Sequence, residues 1–122
     1  MTSKFKMLCD YKHLVKNEIY IGEIQNADLE HIYIDTCLLD LGIECEPITN
    51  YDKFAIAYAK EINKDMAFNP GEWAIQTKPL ELAYLMTGSL RNKTANLSGT
   101  AKKACRKLGI KPTYKGVEEY LA

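Results

Sequence analysis

The sequence predicts an all-α protein: a single compact helical domain of five or six helices that ends in a helix-turn-helix-like unit. Apolar residues recur at helical spacing in most segments. Glycine and proline stand where those segments would end. Only one short segment, at 18–24, alternates as a strand would. A chain of 122 residues is also long enough for one domain with a core of its own.

The first predicted helix covers residues 4–16, where Met7, Tyr11 and Leu14 recur at helical spacing. The next residues, 17–24, are ambiguous. Ile19 and Ile21 alternate with polar neighbours, but no clear partner strand follows. We interpret this segment as an extended connection, with a small hairpin as the alternative.

A second helix is predicted from Asn26, a good N-cap, to about residue 41. Asp28 places negative charge in its first turn, where the helix dipole favours it. Because the segment is apolar over most of its circumference, we expect it at the centre of the domain. Gly42 is the predicted left-handed stop, and Ile43 is expected to fold back on the last turn.

Two further helices are predicted at 51–64 and from Pro79 to Gly88. Between them, residues 68–78 form the predicted loop, because they contain asparagine, proline and glycine in succession. Trp73 is expected to fill the core beneath that loop, with a surface role as the alternative. Residues 91–99 are polar and predict a second loop.

The C-terminal segment 100–121 predicts a basic helix, a turn and a short last helix. Gly109 ends the first of these helices, Ile110 packs back on it, and Thr113 caps the last helix. The order of small, apolar, glycine and apolar residues is that of helix-turn-helix units. Lys115 departs from the pattern, because it occupies a slot usually held by a buried aliphatic residue. Gly116 is expected to weaken the last helix by about 1 kcal/mol relative to alanine.

This segment resembles the C-terminal ends of small uncharacterised proteins of phages and mobile elements of Gram-negative bacteria, on the runs CRKLGI and PTYKGVEEYL. The resemblance covers about a fifth of the chain and implies no activity. In outline the segment is also similar to the helix-turn-helix of bacterial nucleoid and activator proteins, which implies a basic turn facing DNA.

Charge is divided unevenly along the chain, although the total is zero. Residues 1–90 form an acidic helical body with a net charge of −6, and residues 91–122 form a basic module with a net charge of +6. Such asymmetry predicts a polyanionic partner for the basic end, or a partner surface matched to both ends of the chain.

No cofactor and no metal site are predicted. The four cysteines are far apart in sequence and contain no CxxC motif, so we interpret them as buried reduced thiols. A zinc site formed by His31, Cys37 and Cys45 is the alternative. The chain has no apolar run long enough to span a membrane and no signal peptide, which predicts a cytoplasmic protein.

The function predicted first is non-enzymatic binding of DNA, or of RNA, through the basic C-terminal unit. Lysines and arginine would contact phosphates, with the start of the last helix nearest the groove. The predicted site comprises Lys102, Lys103, Arg106, Lys107, Lys111, Thr113, Tyr114 and Lys115. The same order of helix, glycine stop, proline, threonine and tyrosine-led helix recurs at 38–54. That segment is acidic and would repel DNA, so the C-terminal pattern can also serve packing alone.

The alternative function is that of a protein-binding factor, a host-takeover or anti-defence inhibitor similar to anti-CRISPR proteins, that docks onto a host protein. Catalysis is the least supported class. The acidic pairs Asp35 with Asp40 and Glu44 with Glu46 lack the accompanying residues that nuclease or hydrolase chemistry requires. His13 and His31 are isolated in sequence, and we predict core or surface roles for both.

Overall fold

The fold combines an antiparallel sheet with helices, so the prediction of an all-α protein is wrong. A computed structural model describes residues 2–24, 29–68 and 78–122. Within them, five strands and four helices follow one another along the chain. The contacts divide the chain into two compact units, Met1–Thr49 and Asn50–Ala122.

The N-terminal unit contains the whole described sheet. Its strands are β1 (Thr2–Met7), β2 (Ile19–Ile24), β3 (His31–Ile34), β4 (Cys37–Asp40) and β5 (Cys45–Pro47). They are arranged in the order β4-β3-β2-β1-β5, and every neighbouring pair is antiparallel. The segment at 18–24, interpreted as an extended connection, is strand β2. It pairs with β1, a segment that the sequence predicted to be helical.

Strand β1 replaces the first predicted helix. Phe5 and Met7 are fully buried, whereas Lys4 is exposed between Ser3 and Phe5, which is the period of two expected of a half-buried strand. The spacing of Met7, Tyr11 and Leu14 matched a helix by coincidence. Met7 ends β1, and the other two residues pair with each other across the turn that follows. Pairing with distant strands overrode the local pattern.

Strands β3 and β4 replace the second predicted helix. The turn between them consists of Asp35 and Thr36, whose φ angles are 46° and 69°. Two consecutive residues with positive φ are the signature of a type I′ hairpin turn. The apolar residues that predicted a helix buried on all sides instead form this hairpin. They alternate between the inner and the outer face of the sheet. The cap at Asn26 and the charge at Asp28 lie outside the described residues.

Gly42 has the predicted left-handed conformation, with a φ of 89°, but it follows a strand rather than a helix. Ile43 is 72% exposed, so the prediction that it packs back on a helix is wrong. The turn instead brings the Gly42 N–H to the carbonyl oxygen of Cys45, at 2.7 Å. It therefore connects β4 to β5.

Gly22 allows the inner face of the sheet to close. A Cβ at this position would lie 2.8 Å from Phe5 Cδ2 and 3.1 Å from Ile34 Cγ1, so the side chains of β1 and β3 occupy the space. Inward-facing residues of all five strands complete the buried face: Phe5, Met7, Ile24, Ile32, Ile34, Cys37, Leu39 and Cys45.

The C-terminal unit is helical, as predicted. Its helices are α1 (Asn50–Phe68), α2 (Pro79–Arg91), α3 (Gly99–Leu108) and α4 (Tyr114–Leu121). Helix α2 continues one turn beyond the predicted stop at Gly88. Most of the predicted loop at 68–78, with Trp73, lies outside the described residues.

Helix α1 is the centre of this unit. Phe54 and Tyr58 are fully buried on it, with their rings in edge contact at 5.8 Å between centroids. Helices α2 and α3 both pack against α1, and α4 packs chiefly against α2. The two helices of the predicted helix-turn-helix therefore have different main partners, and the segment is part of a four-helix arrangement.

The two units also differ in charge. Residues 1–49 contain four basic and nine acidic residues, a net charge of −5, and residues 50–122 contain twelve basic and seven acidic residues, a net charge of +5. The charge boundary chosen from the sequence at residue 90 lies near the end of α2, inside the helical unit. The acidic part of the chain thus includes the sheet.

Candidate nucleic-acid interface

Helix α3 carries the basic residues, and local hydrogen bonds fix both of its ends. Ser98 caps the start, its side chain accepting a hydrogen bond from the Ala101 N–H at 3.2 Å. At the other end Gly109 has a φ of 71°. The Ile110 N–H donates to the Cys105 carbonyl oxygen at 3.0 Å, and the Gly109 N–H donates to that of Arg106 at 3.2 Å. This is a Schellman motif, so the predicted glycine stop is confirmed.

The apolar stripe of α3 is buried, and its cations point outward. Ala101, Ala104 and Cys105 are fully buried. Burial raises the pKa of the Cys105 thiol, which keeps it protonated and unreactive near neutral pH. The four cations predicted on this helix, Lys102, Lys103, Arg106 and Lys107, are all exposed.

Two of these cations are paired with acidic residues of α1. Lys107 Nζ lies 3.6 Å from Glu61 Oε1, and Lys103 Nζ lies 3.9 Å from Asp65 Oδ1. Glu61 is only 5% exposed and also pairs with Lys64, at 3.4 Å. These contacts balance part of the charge of Lys103 and Lys107 within the fold.

Lys102 and Arg106 form a separate stripe. They are four residues apart, so they lie one above the other on the helix surface. Neither makes an ion pair within the described ranges 2–24, 29–68 and 78–122. They are the members of the predicted site on α3 whose charge is available to a partner.

The turn after α3 is tightly packed. A Cβ at Gly116 would lie 2.2 Å from the Lys111 carbonyl oxygen, so only glycine fits there. The Thr113 side chain accepts a hydrogen bond from the Gly116 N–H at 3.1 Å, which confirms it as the N-cap of α4. Its hydroxyl is therefore engaged in the fold. An open depression of about 330 Å³ next to this turn is lined by Ile110, Lys111, Gly116, Glu119 and Tyr120.

Helix α4 has a mixed rather than basic outer face. Lys115, Glu118 and Glu119 are exposed and lie at i, i+3 and i+4, so they share one stripe. Glu118 also pairs with Lys93, at 3.0 Å. Tyr114, predicted to stand nearest the groove, is half-buried. A helix with two carboxylates on its exposed stripe is poorly suited to lie against phosphates in a DNA groove.

The residues of the alternative zinc site are not brought together. His31 is on the outer face of β3, whereas Cys37 and Cys45 are buried on the inner face. Burial is the main reason that the pKa of the Cys45 thiol is raised to about 12. No group of three metal-ligating side chains occurs among the residues that the structure describes.

The acidic pairs considered for catalysis are engaged in local structure. Asp35 Oδ2 lies 2.5 Å from His13 Nε2, and Asp40 Oδ1 lies 2.8 Å from His31 Nε2. Glu44 Oε1 accepts a hydrogen bond from the Asp40 N–H at 2.9 Å. Sequence reasoning missed both histidine-aspartate pairs, because their partners are separated in sequence and meet only in the folded sheet.

Comparison of the chain with family models, curated proteins and solved structures finds no match. The described helices include none that is long and apolar enough to cross a membrane.

Proposed function

We propose that this protein binds nucleic acid, DNA or RNA, through the exposed basic face of α3 and without sequence specificity. The observation that carries the proposal is the stripe formed by Lys102 and Arg106, which are exposed and unpaired among the described residues. Exposed cations without an ion-pair partner can neutralise phosphates of a nucleic acid and release the counterions bound to it. The net charge of +5 on residues 50–122 supports the same partner.

The mixed face of α4 favours contact with the phosphate backbone over reading of bases. Glu118 and Glu119 share the exposed stripe of that helix with Lys115, so the helix would meet a groove with carboxylates as well as a cation. Phosphate contacts position a protein on nucleic acid but specify no sequence. Lys111 and Lys115 add positive charge beside this surface.

The experiment compares two double variants of the same helix with the same change of charge. Lys102→Ala with Arg106→Ala removes the unpaired cations, and Lys103→Ala with Lys107→Ala removes those paired with α1. Binding of a labelled DNA duplex and of a labelled single-stranded RNA is measured by fluorescence anisotropy over a salt titration. We expect the first variant to lose at least about tenfold in affinity, with a log-log salt slope smaller by about 2. The second variant should lose less.

Two results would contradict the proposal. The first is an absence of binding to either nucleic acid by the wild type at low salt. The second is equal loss in both double variants, because the ion pairs with α1 would then make no difference. In the first case the alternative function, docking onto a host protein as a takeover or anti-defence inhibitor, would take its place.

We propose a non-enzymatic, cytoplasmic role for this protein. The four unpaired cysteines, three of them buried, support a reducing compartment. An origin in phages or mobile elements stays a prediction from the C-terminal sequence.

A further inference from the structure

The open depression beside the turn between α3 and α4 is lined by chemically different groups. Its volume of about 330 Å³ is at the lower end of the range for ligand sites. Tyr120 supplies an aromatic ring and Ile110 an aliphatic side chain, whereas Lys111 supplies a cation and Glu119 a carboxylate. Gly116 is the fifth lining residue. An apolar wall with a few polar groups of different kinds is the usual make-up of a small-molecule site.

The polar side chains of this depression have no partners among the residues that the structure describes. Lys111 and Glu119 both line it, yet no ion pair joins them to each other or to another described residue. The Tyr120 hydroxyl likewise makes no hydrogen bond within the described ranges. Burial raises the pKa of this hydroxyl, so it is partly removed from water without a protein group in exchange. Three polar groups are therefore available to a ligand.

The charges around the depression include both signs. Lys115, one turn before Glu119 on α4, has no ion-pair partner in the described part of the chain, and neither has Lys111. Glu118 is already paired with Lys93, at 3.0 Å. One free carboxylate thus stands beside two free lysines. A ligand with both an anionic group and a hydrogen-bond donor complements this set, whereas a bare anion would be repelled by Glu119.

The depression lies at the end of α3 toward which the stripe of Lys102 and Arg106 leads. Ile110, one of its lining residues, follows Arg106 by four positions and comes directly after Gly109 ends the helix. Because four helical residues span about 6 Å, the depression is next to the surface that carries the proposed nucleic-acid contact.

An unpaired nucleotide has the properties that this depression requires. Its base stacks on aromatic side chains, and its phosphate is the anion that lysine neutralises. The exocyclic amino group of cytosine donates to a carboxylate, whereas thymine and uracil have a carbonyl oxygen at that position. In a duplex the bases are already stacked and paired, so only a single strand offers a base that can enter.

We propose that the depression binds one base of a single-stranded nucleic acid and prefers a base with an exocyclic amino group. The base stacks on Tyr120, its amino group donates to the Glu119 carboxylate, and its phosphate lies beside Lys111. The inference rests on the proposed function and names its ligand more closely, as a single strand. It discriminates between types of base at one position and reads no sequence.

The test measures binding of the full chain at neutral pH to three labelled DNAs by fluorescence anisotropy. They are oligodeoxycytidine, oligodeoxythymidine of the same length, and a duplex. We expect the wild type to bind oligodeoxycytidine about fivefold more tightly than oligodeoxythymidine, because the two pyrimidines differ at the amino position. Tyr120→Leu should weaken binding of both single strands by about fivefold or more and leave duplex binding unchanged.

Glu119→Ala and Glu118→Ala are a matched pair, because they remove the same charge from adjacent positions and only Glu119 lines the depression. Glu119→Ala should bind the two single strands equally, whereas Glu118→Ala should keep the preference for oligodeoxycytidine. Circular dichroism should show all variants folded.

Three results would overturn the inference and leave the proposed function standing. They are equal binding of the two single strands by the wild type, the same preference in both glutamate variants, and an equal loss of duplex and single-strand binding in Tyr120→Leu. Absence of binding to all three DNAs and to RNA at low salt would overturn both.

Discussion

Gly116 shows how one residue decides the geometry of the C-terminal turn. In a helix glycine costs stability, and from sequence alone it reads as a weakness of α4. In the structure the Lys111 carbonyl oxygen approaches so closely that a Cβ would lie 2.2 Å from it. The glycine is therefore required by the turn between α3 and α4, and its cost to the helix is offset by the close approach that it permits.

Replacing Gly116 by alanine should destabilise the protein, by about 2 kcal/mol, because the backbone of the turn must move to admit the methyl group. Gly99→Ala is the control, since no atom lies within 4 Å of a Cβ placed there and alanine favours the helix. The free energy of unfolding of both variants is measured by urea denaturation. An equal or higher stability of Gly116→Ala would show that the turn has room for a side chain.

Helices α1 and α3 are joined by side chains of opposite charge as well as by apolar contact. Glu61 is 5% exposed, and a carboxylate in such a position requires partners to offset its lost hydration. Lys64 and Lys107 supply them, and Asp65 is bonded to the Thr100 hydroxyl and pairs with Lys103. Part of the positive charge of α3 therefore stabilises the packing of the two helices, and only the remainder faces a partner.

Lys107→Ala should lower the free energy of unfolding by about 1 kcal/mol, because among the described residues it leaves Glu61 with Lys64 as its one remaining cation partner. The effect is modest because the Lys107 side chain is half-exposed. Lys102→Ala, one and a half turns away on the same helix and without an ion pair in the described residues, should change it by less than about 0.5 kcal/mol. Thermal and urea denaturation of the two variants measure the difference. Equal stabilities would mean that the ion pair contributes nothing to the packing of α3.

Across the whole molecule, buried thiol and phenol groups make the free energy of unfolding depend on pH in the alkaline range. Burial raises the pKa of Cys45 to about 12, from an ordinary value of 9.0. Burial likewise raises the pKa of the Tyr84 hydroxyl, which also donates to Asp52 Oδ1 at 2.7 Å, and of the Tyr58 hydroxyl. In the unfolded chain these groups lose their protons at lower pH than in the folded protein.

Stability should therefore be constant with respect to these groups below about pH 9 and fall as the pH rises further, because the unfolded state then releases protons that the folded state keeps. Urea denaturation at neutral pH and at two alkaline pH values measures the fall. Tyr84→Phe, which removes one of the groups, should show a shallower decline than the wild type. A midpoint that does not change with alkaline pH in the wild type would contradict the expectation.

The sequence alone was sufficient for the ends of the C-terminal helices. Gly109 and Thr113 act through hydrogen bonds to residues within five positions, so their roles can be inferred from their neighbours in the chain. The basic residues of α3 could be predicted to face outward for the same reason, since the buried stripe of Ala101, Ala104 and Cys105 is a local pattern. Whether they bind nucleic acid stays a prediction.

Only the tertiary structure decided the N-terminal unit and the division of the basic face. The strands at 31–40 carry apolar residues that match a helix as well as a hairpin, and the choice depends on the pairing of β3 with β2, which no local spacing reveals. In the same way, Lys103 and Lys107 differ from Lys102 and Arg106 only because α1 places Glu61 and Asp65 beside them. Contacts between distant residues gain their energy only when the chain has folded, which is why local spacing in the sequence does not identify the partners.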